Sequence, residues 1–274
     1  MTAVEQRLFV TDIDAEVAKL ADLGPAQPGD SAQGRYWAAL HNLYVYSPLP
    51  ENEKIKNLGL WHPADYAARF LIFADLWRDH ILNVHGSVLQ FGVRFGQDLT
   101  WLIQLRGLLE PASMRKMYGF DTFNGHIGHS DVDGDHWMAQ DGAFDSPEDH
   151  SSYVESLALV HANASRLVSD DMPGTVRLVV GDVRETLPDL LRSELESLVV
   201  GAAFFDLDIY EPTKAALEAI LPRCHRGTLL VFDELDSKAM PGETLALLES
   251  VGLNNVNLRR DQWDSMCWTT LEHL

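Results

Sequence analysis

Four acidic side chains follow two strongly apolar runs of this 274-residue chain, and their spacing suits them for chemistry. Asp206 and Asp208 come directly after one run, and Asp233 and Glu234 after the next. Both runs are apolar enough to be buried strands, and adjacent parallel strands lie about 4.8 Å apart, so the acids should converge. Gathered carboxylates repel one another, and a hard cation such as Mg²⁺ relieves that repulsion. The alternative is that these acids cap the two helices that follow.

A glycine-bearing segment, QFGVRFGQ at 90–97, follows an earlier apolar run and precedes a helical pattern. Gly92 and Gly96 would let the backbone approach a ligand closely, and the helix that follows would offer free N–H donors. The spacing differs from the G-x-G-x-x-G dinucleotide fingerprint. A plain strand-to-helix turn explains the segment equally well.

Two further acids stand where predicted strands end. Asp121 could accept both hydroxyls of a ribose, although a single acid at such a place is more often a helix cap or a turn residue. Asp182, directly after Gly181, could accept from the exocyclic amine of a nucleobase. A solvated loop acid is the equally simple alternative for Asp182.

The elements that must position these residues alternate between strand and helix. Strands are predicted in SVLQFG, KMYGFD, VRLVVGD, VVGAAFFDLD and GTLLVFDE, with helices of about ten or more residues between most of them. That alternation predicts parallel strands joined by right-handed crossovers, with ligands beyond the carboxyl ends of the strands. VNLRR and SMCWTTLE around the turn DQWD predict a final antiparallel hairpin.

Other helices are predicted from their start signals and periodicity. Thr11 should cap a first short helix, residues 24–34 read as a linker, PLPENEK as a turn, and a long amphipathic helix should begin at Pro63. Ser146 and Pro147 should start a helix that runs to about Leu167. In the helix after the glycine segment, five leucines should face inward: Leu99, Leu102, Leu105, Leu108 and Leu109.

Composition narrows the classes of function. With 41 acidic and 21 basic residues the formal net charge is −20, which disfavours nucleic acid and membrane surfaces as partners. Solubility is the simplest account of that charge. Two cysteines, no run long enough to span a bilayer, and an N-terminus unlike a signal peptide favour a cytoplasmic protein.

With these segments assembled, the chain resembles the S-adenosylmethionine-dependent methyltransferases of the macrocin O-methyltransferase (TylF) type, relatives of the catechol O-methyltransferases. QFGVRFGQDL, YGFDTFNG, VRLVVGDVRETLP, AFFDLDIYEPTKAAL and VFDEL followed by PGET carry the resemblance, over about residues 55–270. It implies a Rossmann-like class I α/β fold. The sheet should have seven strands, mostly parallel with an antiparallel last strand, and helices on both faces. Residues 1–55 would be an N-terminal helical extension, and 56–274 the methyltransferase domain.

The resemblance also implies roles for individual residues. The cofactor would be held by Gln90, Gly92, Arg94, Gly96, Asp121, Gly181 and Asp182. Mg²⁺ would be bound by Asp206, Asp233 and Glu234.

Three positions depart from the family's usual pattern. Gln90 stands where an acid is usual, and Glu234 replaces the more common Asp or Asn. Ile209 stands where catechol-type relatives carry a catalytic lysine, so the predicted catalytic base is Asp208, or Asp206 itself.

Residues 124–150 are predicted to be a substrate loop and flexible lid, with Trp137 covering the substrate. Its histidines and aspartates also suit a second metal, but their spacing matches no standard site. The helix near Pro63 would form the opposite wall, or simply pack in the core. The predicted substrate residues are Trp61, His62, Tyr66, Arg69, His126, Trp137 and Tyr210.

The predicted reaction is methyl transfer to a hydroxyl of a sugar or glycosylated natural product, a small-molecule substrate. Alternatives are an N-methyltransferase, a nucleotide-sugar or NAD(P)-dependent enzyme on a similar sheet, and a non-catalytic scaffold. The aromatic stretch 35–46 could pack against a second subunit, so a homo-oligomer is expected.

Overall fold

The computed structural model describes residues 13–24, 29, 31–111, 115–164, 176–262 and 265–272, and within them seven strands form one sheet. In chain order these are β1 (Ser87–Phe91), β2 (Met117–Asp121), β3 (Val176–Val180), β4 (Val200–Phe205), β5 (Cys224–Phe232), β6 (Arg259–Arg260) and β7 (Cys267–Thr270). Their spatial order is β3-β2-β1-β4-β5-β7-β6. Strands β1 to β5 pair in parallel, and β7 runs antiparallel to both of its neighbours. The predicted parallel sheet with an antiparallel last strand is confirmed.

Four of the described α-helices precede β1, and the other five lie in intervals between strands. In chain order these helices are α1 (Ile13–Ala21), α2 (Ala32–Val45), α3 (Glu51–Lys56), α4 (Ala64–Asp79), α5 (Gln97–Leu109), α6 (His150–Ala164), α7 (Val183–Ser193), α8 (Tyr210–Ile220) and α9 (Gly242–Ser250). The chain divides into two compact units between Ala67 and Ala68. No described helix has both the length and the apolar character needed to cross a membrane.

Both faces of the sheet are buried, as its parallel strands require. In β4, Ala203 and Phe205 belong to an apolar cluster with residues of α7, α8 and α9. Their neighbours Ala202 and Phe204 point the other way, into a cluster with residues of α4, α5 and α6. Because successive side chains of a strand alternate in direction, β4 contributes to two cores at once. The prediction of helices on both faces is confirmed.

Four stacked phenylalanines align the strand ends. Phe120, Phe91, Phe205 and Phe232 lie on four adjacent strands, with ring centroids 5.0, 5.1 and 4.9 Å apart. They are also register partners in the sheet, so the residues that follow them leave the strands at the same level. Those residues are Asp121, Gly92, Asp206 and Asp233.

The N-terminal unit holds two helices that the sequence left unplaced. In α2 the buried residues are small, Ala38 and Ala39, so the segment lacks the large apolar stripe that would have indicated a helix. Asn42, 2% exposed, donates through Nδ2 to the carbonyls of Leu20 and Ala21 and so closes the end of α1. The turn predicted in PLPENEK gives way to α3.

Two helix predictions need correction, and some lie outside the described residues. Helix α6 begins at His150, not Pro147, because Asp149 has a φ of 61°, which interrupts a right-handed helix. Leu108 is 71% exposed, since Arg106 takes the buried position in the last turn of α5. Outside the described residues lie the Thr11 cap, the predicted end near Leu167, most of the 24–34 linker's prolyl stretch and half of DQWD.

Candidate active site

The turn between β1 and α5 brings backbone close to the end of β4. Gly92 and Gly96 both have a φ of +86°, a region that favours glycine. A Cβ at Gly92 would lie 1.7 Å from the carbonyl oxygen of Asp206, so only glycine fits there. Arg94, between them, has a φ of 46°. The predicted cofactor turn is therefore a tight backbone loop packed against the acid-bearing strand end.

Asp121 organises this turn through its carboxylate. Its Oδ2 accepts from the backbone N–H groups of Val93 and Arg94 at 2.6 and 2.7 Å, and its Oδ1 from Phe123 at 2.7 Å. Three backbone donors make it a turn residue, which was one alternative from the sequence. A contact with a ribose stays a prediction, since a carboxylate can accept about four hydrogen bonds.

Gln90 is 3% exposed and carries an unpartnered acceptor beside the turn. Its Nε2 donates to the carbonyl of Gly92 at 2.9 Å, while the buried Oε1 has no hydrogen-bond partner among the described residues. Such an acceptor costs about 1–3 kcal/mol unless a donor reaches it. A cationic or N–H-bearing part of a ligand would satisfy it.

The third strand end is occupied by a helix cap. Asp182 accepts from the backbone N–H of Arg184 at 2.9 Å at the start of α7, and it also pairs with the guanidinium of that residue. Burial acts to raise the pKa of Asp182, but the hydrogen bonds from Arg184 outweigh it and the pKa is lowered. Gly181, with a φ of +132°, makes the preceding bend. Adenine contacts here stay a prediction.

Arg69 lies among the acids at the ends of β4 and β5. Its Nη1 is 2.5 Å from Oδ1 of Asp233, and its Nη2 is 3.7 Å from Oδ2 of Asp206. Its Nε and Nη2 donate to Oδ2 of Asp98 at 3.0 and 2.7 Å. Only 15% of the Arg69 side chain is exposed. The structure places this arginine as a cation within the acid cluster, and its predicted contact with a substrate stays a prediction.

The charges in this cluster shift one another's ionisation. Burial alone would lower the pKa of Arg69, but Asp98 and Asp233 raise it above the ordinary arginine value. Burial, then the charges of Asp233 and Asp208, raise the pKa of Asp206 well above its usual range, and Arg69 only partly opposes them. The Asp206 side chain is 38% exposed, so solvent and ligands can reach it. Strongly shifted carboxyls in such a place are typical of functional sites.

The predicted metal ligands do not fit a Mg²⁺ site as they are placed. Across the described ranges, no group of three or more His, Cys, Asp or Glu side chains is arranged to hold a metal ion, in the acid cluster or in the 124–150 loop. The donors are oxygens of the right chemistry, but Asp233 is engaged by Arg69. The guanidinium contributes positive charge to this cluster, and binding of Mg²⁺ by Asp206, Asp233 and Glu234 stays a prediction.

Sequence reasoning missed Asp98 and Glu243. Glu243 is fully buried, and its two oxygens accept from the backbone N–H groups of Leu207 at 3.2 Å and Glu234 at 3.3 Å. It thereby joins the segments after β4 and β5, and burial raises its pKa well above the usual range. Both acids lie in the first turn of a helix, where acids are common, so nothing in the sequence set them apart.

Asp208, the predicted base, leaves β4 in a left-handed conformation with a φ of 63°. Its Oδ2 lies 3.0 Å from Nε2 of His126, and both side chains are nearly buried, 13% and 11% exposed. Ile209 is fully buried in a small apolar cluster with Ala139 and Met240. The position of the lysine in catechol-type relatives is therefore occupied here by a buried apolar side chain.

The 124–150 loop is fixed by hydrogen bonds at several points. Asp133, 1% exposed, accepts from the backbone N–H of Tyr210 at 2.7 Å, and Asp141 accepts from those of Gly128 and His129. Trp137 is 66% exposed. The movement of this loop as a lid, with Trp137 over a substrate, stays a prediction.

The remaining substrate predictions are placed as follows. The hydroxyl of Tyr210 donates to Glu249 at 2.5 Å and accepts from Lys214 at 2.8 Å, so a ligand would compete for it. Trp61 packs edge-on against Tyr44, and Tyr66 against Trp37, all within the N-terminal unit. His62 lies close to Tyr66. Contacts of these N-terminal residues with a substrate stay predictions.

The comparisons with known proteins agree on one class. A family model described as "Methyltransferase domain" matches residues 89–235. A crystal structure of CalS11, a calicheamicin methyltransferase, is 35% identical, covers 91% of this chain and 98% of its own, and has a TM-score of 0.82. An apo structure of CalS11, there described as TDP-rhamnose 3'-O-methyltransferase, is 32% identical over 88% of this chain and 96% of its own, at a TM-score of 0.74.

A more distant solved structure shares the fold alone. The O-methyltransferase NovP is 18% identical, covers 87% of this chain and 98% of its own, and has a TM-score of 0.51. No curated protein sequence matches the chain.

Proposed function

We propose that this chain moves a methyl group from S-adenosylmethionine to a hydroxyl of a sugar or glycosylated small molecule. The proposal starts from the class of reaction, because the chain belongs to the methyltransferase family and is a methyltransferase. The observation that carries the acceptor class is the likeness to CalS11, whose structure is described as that of a TDP-rhamnose 3'-O-methyltransferase. The narrower assignment to the macrocin type stays a prediction.

The turn after β1 fits the cofactor. Gln90 offers its unpartnered Oε1 to the ammonium of the methionine part, and the glycines at 92 and 96 allow close approach. Asp121 retains one acceptor position for the ribose, and Asp182 lies at the next strand end toward the adenine. When bound, S-adenosylmethionine supplies a methyl group on a positively charged sulfonium, which an acidic cleft favours.

The acceptor hydroxyl is prepared by the chain's own acids. Asp208 takes the proton as the hydroxyl attacks, because one of its oxygens is free of protein hydrogen bonds among the described residues. Asp206 is the alternative base, and burial together with the charges of Asp233 and Asp208 raises its pKa. Arg69 holds Asp98 and Asp233 in place and keeps the cluster's net charge down.

Mass spectrometry of the product tests the reaction class. The enzyme is incubated with S-adenosylmethionine and a panel of free and nucleotide-linked deoxysugars, and the matching amino sugars serve as the control for N-methylation. We expect a gain of one methyl group on a hydroxyl sugar. Calorimetry should show binding of S-adenosylhomocysteine and none of NADP. Methylation of amino sugars only, or NADP binding, would contradict the proposal.

Dependence on Mg²⁺ is a separate proposal from sequence, which the side-chain positions do not favour. Turnover is measured after exhaustive chelation and again after Mg²⁺ is restored. Loss and recovery of turnover would support a requirement for the ion, and full turnover after chelation would remove it. A homo-oligomer and a cytoplasmic location also remain proposals, and light scattering of the purified chain tests the first.

A further inference from the structure

We propose that His126 is a positioning residue that fixes the carboxylate of Asp208 for proton abstraction, an inference that rests on the proposed function. Nε2 of His126 lies 3.0 Å from Oδ2 of Asp208, across 82 residues of sequence. The contact joins the 124–150 loop to the end of β4, where the acceptor is expected to bind. It assigns to a loop histidine a task in the chemistry rather than in substrate contact alone.

The proton of His126 sits on the nitrogen that faces Asp208. Nδ1 is buried and has no hydrogen-bond partner among the described residues. A buried N–H without an acceptor is rarer and more costly than an unpaired lone pair, so Nδ1 carries the lone pair. Nε2 is then the N–H donor, and Oδ2 of Asp208 is the acceptor.

The imidazole is held rigidly enough to act as a guide. The backbone N–H of His126 donates to the carbonyl of Ala143 at 2.9 Å, and its carbonyl accepts from Gly142 at 2.9 Å. The ring packs edge-on against Phe144, with centroids 5.3 Å apart. Gly125 makes the preceding turn with a φ of +71°, and a Cβ there would lie 2.6 Å from the carbonyl of Ala143. Backbone hydrogen bonds therefore fix the position of His126 in the chain, and the contacts with Phe144 and Asp208 orient its ring.

Asp208 gains a defined orientation from this contact. Its φ of 63° places it in a conformation that residues other than glycine seldom adopt, so its side chain leaves the chain in an unusual direction. With Oδ2 held by His126, Oδ1 is the oxygen without a protein hydrogen bond among the described residues. A carboxylate held in one rotamer presents that oxygen to the acceptor in one direction, which lowers the cost of alignment.

Two substitutions separate hydrogen bonding from packing. H126F keeps a ring and removes the donor; H126Q keeps an N–H donor at a similar reach and removes the ring. We expect H126F to lower kcat by about 10- to 100-fold, with the acceptor KM and the Kd of S-adenosylhomocysteine changed less than about threefold. H126Q should retain kcat within about fivefold of wild type. H85F, at an exposed histidine outside the candidate site and outside the 35–46 stretch, is the matched control and should behave as wild type.

A second measurement asks whether His126 acts through Asp208. In the D208N background, H126F should lower the residual kcat by less than about twofold, because the carboxylate to be guided is gone. Should H126F fail to fold, H126L replaces it in both backgrounds. The assignment is overturned if H126F keeps wild-type kcat, or if H126Q lowers kcat as far as H126F does. It is also overturned if the effects of H126F and D208N on kcat multiply in the double variant. If wild type methylates no hydroxyl, the proposed function fails first, and this role fails with it.

Discussion

Asp121 and Asp206 each follow a phenylalanine that pairs in register with Phe91 of β1, yet their surroundings differ. Asp121 is surrounded by three backbone N–H donors, which are neutral dipoles. Asp206 is surrounded by other carboxylates, and a single guanidinium stands 3.7 Å away. An aspartate at the same level of the sheet is therefore held by hydrogen bonds at the end of β2 but lies among like charges after β4.

The difference has a local cause in each half. Beside Asp121 the glycine turn opens α5, and the free N–H groups at that turn find their acceptor in the carboxylate. Around the ends of β4 and β5, Asp98, Asp206 and Asp233 all lie within 4 Å of the guanidinium of Arg69, and Asp208 adds a further negative charge beside Asp206. Asp121 is held by the backbone of its own turn, whereas Asp206 lies among like charges and has a raised pKa, which is typical of functional sites.

Removal of the Arg69 guanidinium should have the largest effect on stability. R69M removes the guanidinium from beside the nearly buried carboxylates of Asp98 and Asp233, and we expect a loss of about 3–5 kcal/mol in the free energy of unfolding. Urea denaturation followed by circular dichroism measures it. R192M, in an ion pair with Asp189 whose side chains are 74% and 71% exposed, should leave the denaturation midpoint unchanged. Equal midpoints for the two variants would mean that the cluster does not depend on Arg69.

Removing the acceptor from the other half should have a smaller effect on stability. D121A deprives three backbone N–H groups of their acceptor, and we expect a loss of about 2 kcal/mol together with about tenfold weaker binding of S-adenosylhomocysteine. Denaturation and calorimetry measure the two effects. D75A, in an exposed ion pair with Arg78, is the control. Unchanged stability and binding in D121A would show that the turn holds its shape without Asp121.

At the end of β3, removal of the Asp182 side chain should have the smallest effect on stability. D182A removes a helix cap, which should cost about 1 kcal/mol at pH 7. The pKa of Asp182 is lowered in the folded protein, so its contribution is present above the usual aspartate pKa of 3.8 and is lost as the pH falls through the folded value. The gap in denaturation midpoint between wild type and D182A should therefore narrow as the pH falls below 3.8. A gap that stays constant would assign the effect to packing. D189A, in the same helix, is the control.

The sheet was predictable from the sequence because each strand is a continuous apolar run that ends at a polar residue. The same signal placed Asp121, Asp206 and Asp233 at strand ends. The ion-pair partners could not be predicted, because Arg69 and Asp233 are 164 residues apart and the sequence of a helix does not show which acid its arginine will contact. Helix α2 escaped for a related reason, because it packs through alanines rather than through a large apolar stripe.

The close approach of Gly92 to the carbonyl of Asp206 couples the turn after β1 to the end of β4. A redesign that widened the turn after β1 to admit a bulkier alkyl donor would displace the end of β4, after which the proposed base Asp208 follows. Selectivity for donor and for acceptor would then change in concert, and a library for altered alkylation should vary both segments at once.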